Sequence, residues 1–456
     1  MDANLDNPRL LVLVPVFETG PPCDSVSCTV SPCARTLALS HAICILTTHA
    51  AVNQSDKMAL FLPPIRLGAR VCTSRAASTP KFYSTVHGLP TPLQPNSSVA
   101  IQQALNAPGA RTDWTRDEIS EIYNTPLFDL QYAAATVHRR FHAPGAIQMC
   151  TLMNIKTGGC SEDCSYCAQS SRYNTGLKAQ KMATVDAVLD AARTAKANGS
   201  SRFCMGAAWR DMRGRKTSLK NIKAMVEGVR GMGMEACVTL GMIDASQALE
   251  LKDAGLTAYN HNVDTSREYY PNVITTRSYD ERLATIDNVR KAGINVCSGG
   301  ILGLGEESED HVGLIYTVAT MPSHPESFPV NALVRIKGTP LGDSKPIPFD
   351  AIVRTIATAR LVLPRTIVRL AAGRINMSEE QQMLCFSSGA NAVFTGEKML
   401  TTDCSDWNED KEMFDRWGLR PMASQHEPRT SNLGNVLPNS FTEIREATEQ
   451  EAKTAA

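Results

Sequence analysis

The chain has 456 residues, 43% of them hydrophobic, with a formal net charge of zero and a pI of about 7.1. This balance predicts neither a nucleic-acid partner nor a charged tail that acts at long range. The longest apolar run near the start, Leu10–Phe17, contains Pro15 and is too short to span a bilayer, so no membrane partner is expected. Fourteen cysteines in so long a chain, three of them clustered, indicate a reducing compartment and metal binding rather than disulfides.

Two segments precede the first clear periodic pattern. Residues 1–57 show no periodicity, and the spacing of their cysteines (Cys23, Cys28, Cys33 and Cys44) fits no metal site. From 58 to 112 there is no Asp or Glu, while arginines occur among many Ser, Thr and Ala residues. We therefore expect 58–112 to be a mitochondrial transit peptide and linker, with delivery to the matrix; a disordered basic linker is the alternative. The further expectation is that Met58 is the functional start and that 1–57 is a disordered upstream segment.

Folding is predicted to begin near Thr115. Thr115-Arg-Asp-Glu118 is a capping-box sequence, and a helical pattern follows over Leu127–Phe141. Short apolar strands then alternate with amphipathic helices, several of which end in Gly. The predicted strands are Ile147–Met153, Ser201–Ala207, Glu235–Leu240, Ala258–Val263, Asn295–Gly299, Pro329–Ile336, Thr366–Ala371 and Asn391–Phe394. Helices are predicted, for example, at Ala183–Ala197, Ser246–Ala254 and Tyr279–Ala292.

This alternation predicts the α/β class and a (β/α)8 TIM-type barrel over residues 113–403, with a helical segment at its N-terminal side. An open doubly wound sheet is the alternative, because strand order cannot be read from the sequence. Beyond Asp403 the chain becomes polar and acidic, and 404–456 is expected to be a polar C-terminal tail that is largely disordered from Gln425 onward. Both chain ends are thus expected to be disordered extensions.

Three closely spaced cysteines follow the first predicted strand, in Cys160-Ser-Glu-Asp-Cys164-Ser-Tyr-Cys167, and a glycine pair precedes them. Thiolates so close together suit an iron–sulfur cluster. With no fourth cysteine continuing the set, one iron would stay open to a substrate or cofactor. A helix with small core cysteines is one alternative, but the polar residues between them make a poor buried segment. A zinc site is the other, but it would need a fourth ligand and an unusual spacing.

Further cysteines occur one per predicted strand, at Cys204, Cys237 and Cys297, and Arg369 lies in the seventh. Taken singly, each cysteine is best interpreted as a small core residue. A buried guanidinium is harder to explain because it requires partners. Side chains that point inward from these strands would converge inside a barrel. There they would form a second metal centre, in which the guanidinium offsets thiolate charge.

The three-cysteine loop resembles the signature of the radical S-adenosylmethionine (SAM) superfamily, C-x3-C-x-aromatic-C, with Tyr166 in the aromatic place. The resemblance implies that the amine and carboxylate of SAM chelate the open iron. It also implies that one electron from the cluster cleaves the sulfonium and gives a 5′-deoxyadenosyl radical.

Over residues 113–403 the sequence resembles the biotin synthase family more specifically. Besides the three cysteines, the resemblance lies in Asn154–Gly158, Arg202–Trp209, Glu235–Cys237, Tyr259–Thr265, Val296–Ile301, Lys337–Leu341, Val368–Leu370 and Ala371–Arg374. It implies conversion of dethiobiotin to biotin, the last step of biotin synthesis, with sulfur taken from a second cluster. The enzyme would thus be a sulfurtransferase of the radical SAM type.

The resemblance also assigns roles to individual residues. It gives the SAM-cleaving [4Fe–4S] cluster to Cys160, Cys164 and Cys167, and the sulfur-donating [2Fe–2S] cluster to Cys204, Cys237, Cys297 and Arg369. It gives SAM contacts to Tyr166, Gly206, Ala207, Asn262, Asp264 and Ile301. It gives contacts with the substrate to Asn260, Asn262 and Asn331. The period of two on the fourth predicted strand supports this, because Asn260 and Asn262 then share one face. The alternative is that this run merely turns a loop.

The resemblance implies a ferredoxin- or flavodoxin-like electron donor, iron–sulfur assembly proteins as partners, and a homodimer. Another radical SAM enzyme with a different substrate is one alternative. An iron–sulfur carrier protein is a second, but a carrier needs exposed ligands, whereas cysteines spread over three strands favour a buried site.

Overall fold

The computed structural model of the protein describes residues 98–424. The expectations for 1–57, for most of 58–112 and for 425–456 concern residues outside this range. Among residues 98–424, no helix combines the length and the apolar character needed to cross a bilayer.

Eight strand positions close into a parallel barrel in the described chain. The strands are β1 (Ala146–Lys156), β2 (Arg202–Ala207), β3 (Glu235–Thr239), β4 (Ala258–Asn260), β5 (Asn295–Cys297), β6 (Gly300–Leu302), β7 (Ser327–Ala332), β8 (Ile367–Leu370) and β9 (Ala392–Phe394). They pair in the order β1-β2-β3-β4-β5-β7-β8-β9, and β9 pairs with β1. The predicted closed barrel is therefore confirmed, and the alternative, an open doubly wound sheet, is excluded.

The fifth strand position differs from the prediction. It is shared by two short strands, β5 and β6, both of which pair with β7. The predicted strand Pro329–Ile336 is shifted, because pairing with β6 and β8 begins β7 at Ser327 and ends it at Ala332. Gly300 in β6 lies so close to the carbonyl of Asp264 that an added Cβ would approach that oxygen to 2.8 Å. Glycine is thus required where the chain passes close to the end of β4.

Helices surround the barrel, and each buries one face against the strands or against neighbouring helices. They are α1 (Val99–Asn106), α2 (Arg116–Tyr123), α3 (Leu127–Phe141), α4 (Val185–Ala197), α5 (Lys216–Gly231), α6 (Ala245–Asp253), α7 (Tyr279–Lys291), α8 (Ser308–Ala319), α9 (Phe349–Val362), α10 (Glu379–Ser387) and α11 (Trp407–Trp417). The capping box predicted at Thr115 and Glu118 is present and begins α2. The helices predicted from the periodicity correspond to α4, α6 and α7, within a residue or two.

The folded chain begins before residue 113. Helix α1 buries Ala100, Ile101 and Ala104 and contacts α2, α3 and α9. The Ser98 hydroxyl accepts a hydrogen bond from the Ile101 amide and so caps the helix start. The predicted linker over 58–112 is therefore wrong for residues 98–112. This helix could not be predicted from the composition of the segment, because its buried face consists largely of small alanines.

The folded chain also continues beyond residue 403. Helix α11 buries Met413 and Phe414, and a short strand, Arg420–Pro421, pairs with the start of β1. The two carboxylate oxygens of Asp410 accept hydrogen bonds from the Arg374 guanidinium at 2.6 and 2.7 Å, and both side chains are buried. The prediction that residues 404–424 belong to a tail outside the barrel domain is therefore wrong, because they are part of the fold. The segment is polar overall, but its apolar residues share one face and its buried carboxylate is paired.

We expect Asp410→Ala to reduce the free energy of unfolding by about 3–5 kcal/mol, because it leaves the buried Arg374 without its carboxylate partner. Chemical denaturation measures this change. Glu412→Ala is the matched control on the same helix, since its side chain is exposed and it should cost less than about 0.5 kcal/mol. Equal effects of the two substitutions would show that α11 is not part of the cooperative fold.

Candidate active site

The three-cysteine loop leaves the barrel at the C-terminal end of β1. Gly158 and Gly159 both adopt positive φ, 67° and 68°, and turn the chain out of the strand. The Gln169 side chain accepts a hydrogen bond from the Gly158 amide at 3.0 Å, and its backbone carbonyl accepts one from the Cys160 amide at 3.0 Å. The loop is thus folded back on itself at the end of the barrel where TIM-barrel enzymes carry their active sites.

Two carboxylates fix this loop to the segment after β4. Asp163 accepts hydrogen bonds from the backbone amides of Thr275 and Thr276, at 3.0 and 3.2 Å, and from both threonine hydroxyls. Although burial opposes the charge, these bonds lower the pKa of Asp163 to about 2. Glu162 is buried, accepts a hydrogen bond from Thr276 and lies 3.5 Å from Arg210. The residues between the cysteines therefore anchor the loop.

The thiols of Cys160, Cys164 and Cys167 are half-buried or buried. Burial raises the pKa of Cys164 to about 12 and that of Cys167 to about 11. Bound iron would stabilise the thiolate forms instead. Within residues 98–424, no three Cys, His or acidic side chains converge on a single metal ion. The three thiols would fit an iron–sulfur cluster, in which each cysteine would bind its own iron atom.

The barrel encloses four further cysteines, one on each of four strands. Cys204 on β2 lies directly opposite Cys237 on β3, and both pack with Cys150 of β1. Burial, and then a hydrogen bond with Cys204, raises the pKa of Cys150 well above its ordinary value. Cys297 on β5 accepts a hydrogen bond at 3.2 Å from the amide of Asn260 on β4. We call these four cysteines, together with Arg369, the interior thiol site.

Arg369 is 1% exposed and extends from β8 towards β1. Its Nη1 donates to the sulfur of Cys150 at 2.8 Å and to the carbonyl of Val393 at 3.1 Å. Its Nη2 donates to the amide oxygen of Gln148 at 2.8 Å, and its guanidinium lies over the Phe394 ring. The partners that a buried guanidinium requires are therefore Cys150 and Gln148, which were not among the predicted site residues.

Beneath the interior thiol site, polar side chains continue across the barrel floor. Gln148 donates to the carboxylate of Glu235 at 3.3 Å, and Glu235 forms a buried ion pair with Arg202 at 2.6 Å. Arg202 and Glu235 precede Cys204 and Cys237 by two residues each, so the period of two placed them on the same face. That pattern is the signal by which the sequence could have identified them.

The asparagines assigned to substrate lie at the rim of the strands. Asn260 donates to the Asn262 side chain at 3.4 Å and accepts from Thr239 at 3.4 Å. Asn262 accepts from the amide of Gly299. Asn331 on β7 donates to the Gly300 carbonyl at 2.8 Å and accepts from the Ala372 amide at 3.1 Å. The side chain of Asn331 thus also joins two neighbouring strand ends.

Asp264 is held in a strained backbone conformation just after β4, with φ at 71°. Its carboxylate accepts a hydrogen bond from the Tyr166 hydroxyl at 2.8 Å and pairs with Arg282 at 2.5 Å. Burial opposes the charge of Arg282, but the ion pair with Asp264 raises its pKa above the ordinary value. The structure thus brings Tyr166 and Asp264 together, and it adds Arg282, which sequence reasoning missed.

The remaining predicted contacts lie around the same rim. Gly206, the next-to-last residue of β2, lies beside Leu400, whose side chain an added Cβ would approach to 2.6 Å. Ala207 is buried at the end of that strand. Ile301 on β6 is half-buried, and its amide donates to the Asp264 carbonyl at 2.7 Å. Every predicted site residue therefore lies in the barrel interior or at its C-terminal rim.

Comparison with known proteins agrees with this geometry. The chain matches the Radical SAM superfamily over residues 154–318 and the Biotin and Thiamin Synthesis associated domain over residues 329–420. It is 74% identical to the mitochondrial biotin synthase of Emericella nidulans, across 75% of this chain and 88% of that one. It is 60% identical to that of Saccharomyces cerevisiae, across 71% and 88%. The crystal structure of methylornithine synthase shares the fold, with a TM-score of 0.60 at 16% identity over 71% of this chain and 97% of its own.

A closed parallel barrel with this three-cysteine loop after its first strand defines a radical SAM enzyme. The sequence identity between this chain and its relatives then identifies the family within that class. The chain belongs to the biotin synthase family, whose members are radical SAM enzymes that transfer sulfur. Both resemblances found in the sequence are thereby confirmed.

We expect Asp163→Ala to loosen the cysteine loop. Hydrogen bonds to a charged group contribute about 1.5–3 kcal/mol each, so amide exchange around Cys160–Cys167 and at Thr275–Thr276 should accelerate roughly tenfold or more. Hydrogen–deuterium exchange with mass spectrometry measures this. Asp190→Ala is the control, because that carboxylate is exposed on α4 and pairs with the exposed Arg193. Unchanged exchange in the loop would contradict the anchoring role of Asp163.

Proposed function

We propose that the protein converts dethiobiotin to biotin by inserting sulfur through two SAM-derived radicals. The observation that carries this proposal is membership of the biotin synthase family together with two separate sets of thiols, one in a loop and one in the barrel interior. When bound, the clusters and SAM would supply the electron, the hydrogen-abstracting radical and the sulfur. The protein's own side chains would hold these groups, orient the substrate and exclude water.

In this proposal Cys160, Cys164 and Cys167 hold a [4Fe–4S] cluster. The three-thiol set leaves one iron for SAM, and the carboxylate-anchored loop keeps the thiols at the barrel rim. Close by, Asp264 is proposed to bind the SAM ribose hydroxyls. Tyr166 and Arg282 would hold the Asp264 carboxylate in position. The other proposed SAM contacts are Tyr166, Gly206, Ala207, Asn262 and Ile301.

Cys204, Cys237, Cys297 and Arg369 are proposed to hold a [2Fe–2S] cluster, the source of the sulfur. The donor set supports this, because three thiols lie inside the barrel with a guanidinium charge to offset thiolate charge. Ser327, in register with Cys297, adds a buried hydroxyl that has no hydrogen-bond partner among residues 98–424. An unpartnered hydroxyl suits an occupant that accepts hydrogen bonds.

Dethiobiotin is proposed to bind between the two sets of thiols, with Asn260, Asn262 and Asn331 around its cyclic urea. Amides suit this ligand because they both donate and accept hydrogen bonds, as a urea does. The barrel walls would keep water and other hydrogen donors away from a primary radical.

Several relatives are named as mitochondrial, which supports a mitochondrial location. Within the mitochondrion, the proposed compartment is the matrix. A ferredoxin- or flavodoxin-like donor would supply electrons. Iron–sulfur assembly proteins would rebuild the smaller cluster, and the proposed oligomer is a homodimer.

The function is tested by anaerobic incubation of reconstituted protein with SAM, dithionite and dethiobiotin, followed by mass spectrometry of biotin. If the smaller cluster carries a heavy sulfur isotope, the first biotin formed should carry that isotope. Absence of biotin would refute the proposed reaction, whereas unlabelled biotin would refute only the sulfur source.

We expect Cys164→Ala to abolish formation of 5′-deoxyadenosine from SAM, because the loop has no spare thiol to replace the lost ligand. Liquid chromatography of the quenched reaction measures the product. Cys385→Ala, which removes a buried thiol of α10 far along the chain from the loop, should retain full SAM cleavage. Wild-type yield from the Cys164 variant would refute the assignment of the loop.

We expect Asn260→Ala to weaken dethiobiotin binding by about 5- to 150-fold, because an unmade buried hydrogen bond costs about 1–3 kcal/mol. Equilibrium binding to the reconstituted protein measures the affinity, and iron and sulfide counts establish that both clusters remain. Unchanged affinity would show that Asn260 serves only its contacts with Thr239, Asn262 and Cys297.

A further inference from the structure

The interior thiol site contains a cysteine that the proposed cluster does not use. Cys150 lies on β1, is fully buried and packs with Cys204 and Cys237. It is therefore a fourth thiol enclosed with the three proposed sulfur-cluster ligands, in the same barrel.

Cys150 also contacts the residue that occupies the fourth position of the proposed ligand set. Its sulfur accepts a hydrogen bond from Nη1 of Arg369 at 2.8 Å. A group that approaches Nη1 of Arg369 thus also approaches this sulfur. An iron atom within reach of the Arg369 guanidinium is therefore within reach of Cys150.

The two groups differ greatly as iron ligands. Four cysteine thiolates are the ordinary donor set of a [2Fe–2S] cluster. A guanidinium is a delocalised cation that donates hydrogen bonds and offers iron no free lone pair. By donor chemistry, Cys150 is the better fourth ligand of the pair.

If the contact with Cys150 were lost, Arg369 would still have other hydrogen-bond partners. Arg369 keeps its hydrogen bonds to the Gln148 amide oxygen, at 2.8 Å, and to the Val393 carbonyl, at 3.1 Å. Gln148 in turn remains joined to Glu235. The cysteine can therefore turn to a metal while the guanidinium remains paired.

We propose that Cys150 is a fourth sulfur ligand available to the smaller cluster, at a position for which it competes with Arg369. This inference rests on the proposed [2Fe–2S] site. It predicts that the cluster survives loss of the arginine as long as Cys150 is present. It also assigns a role to the Cys150 thiol, which has no role in the proposed sulfur insertion.

The test compares Arg369→Lys, Cys150→Ser and the double variant as full-length, anaerobically reconstituted proteins. Serine keeps the size and hydrogen-bonding capacity of cysteine but is a much poorer iron ligand, so it separates ligation from positioning. The readouts are iron and sulfide counts, Mössbauer spectra and the rate at which a chelator removes iron. Cys385→Ser is the matched control, because it exchanges a buried thiol outside the interior thiol site.

Arg369→Lys should retain both clusters, and its smaller cluster should have the spectrum of all-sulfur ligation. Adding Cys150→Ser should accelerate loss of that cluster by at least about tenfold, as expected when an interaction that holds a metal is removed. The loop cluster should be unaffected. Cys385→Ser in the Arg369→Lys background should change nothing.

Equal rates of iron loss from Arg369→Lys with and without Cys150→Ser would overturn the inference. If the double variant fails to fold, the Arg369→Lys spectrum decides: a lost or nitrogen-ligated smaller cluster overturns the inference, and all-sulfur ligation supports it. A wild-type protein that binds only the loop cluster would instead overturn the proposed function, and the inference with it.

Discussion

Closure of the parallel sheet, through hydrogen bonds between β9 and β1, is the constraint on which the interior of this protein depends. In an open sheet β8 would lie far from β1, whereas closure leaves one short strand between them. The Arg369 guanidinium can therefore reach from β8 to Gln148 and Cys150. Closure also turns inward-facing residues from every strand into neighbours, which is how cysteines far apart in the chain come to share one enclosed space.

Such an interior tolerates charge only where each charge is paired. An unpaired buried ion would cost several kcal/mol, and the barrel floor avoids this by joining its polar groups. Arg202 pairs with Glu235, Gln148 links that pair to Arg369, and Arg369 contacts a thiol and a carbonyl. The same linkage orients the guanidinium beside the cysteines. The polar floor thus supports both the fold and the interior thiol site.

At the rim, long-range contacts hold the cysteine loop against the ends of the strands. Asp163 attaches the cysteine loop to the chain after β4, while Asp264 joins Tyr166 of that loop to Arg282 of α7. Two carboxylates thus connect the loop to the far side of the barrel mouth. The loop thiols and the asparagine-bearing strand are held in one frame as a result.

What the sequence determined by itself was local. The period-two strands, the helix periodicity and the spacing of Cys160, Cys164 and Cys167 depend on neighbouring residues, and they sufficed for the barrel, the loop and the family. Only the tertiary structure decided that α1 and α11 belong to the fold, since α11 depends on pairing of Asp410 with a distant arginine. It also decided that Cys150 lies beside Arg369. The sequence shows such a residue only as part of an apolar run, because contacts across more than two hundred residues arise from strand order and closure.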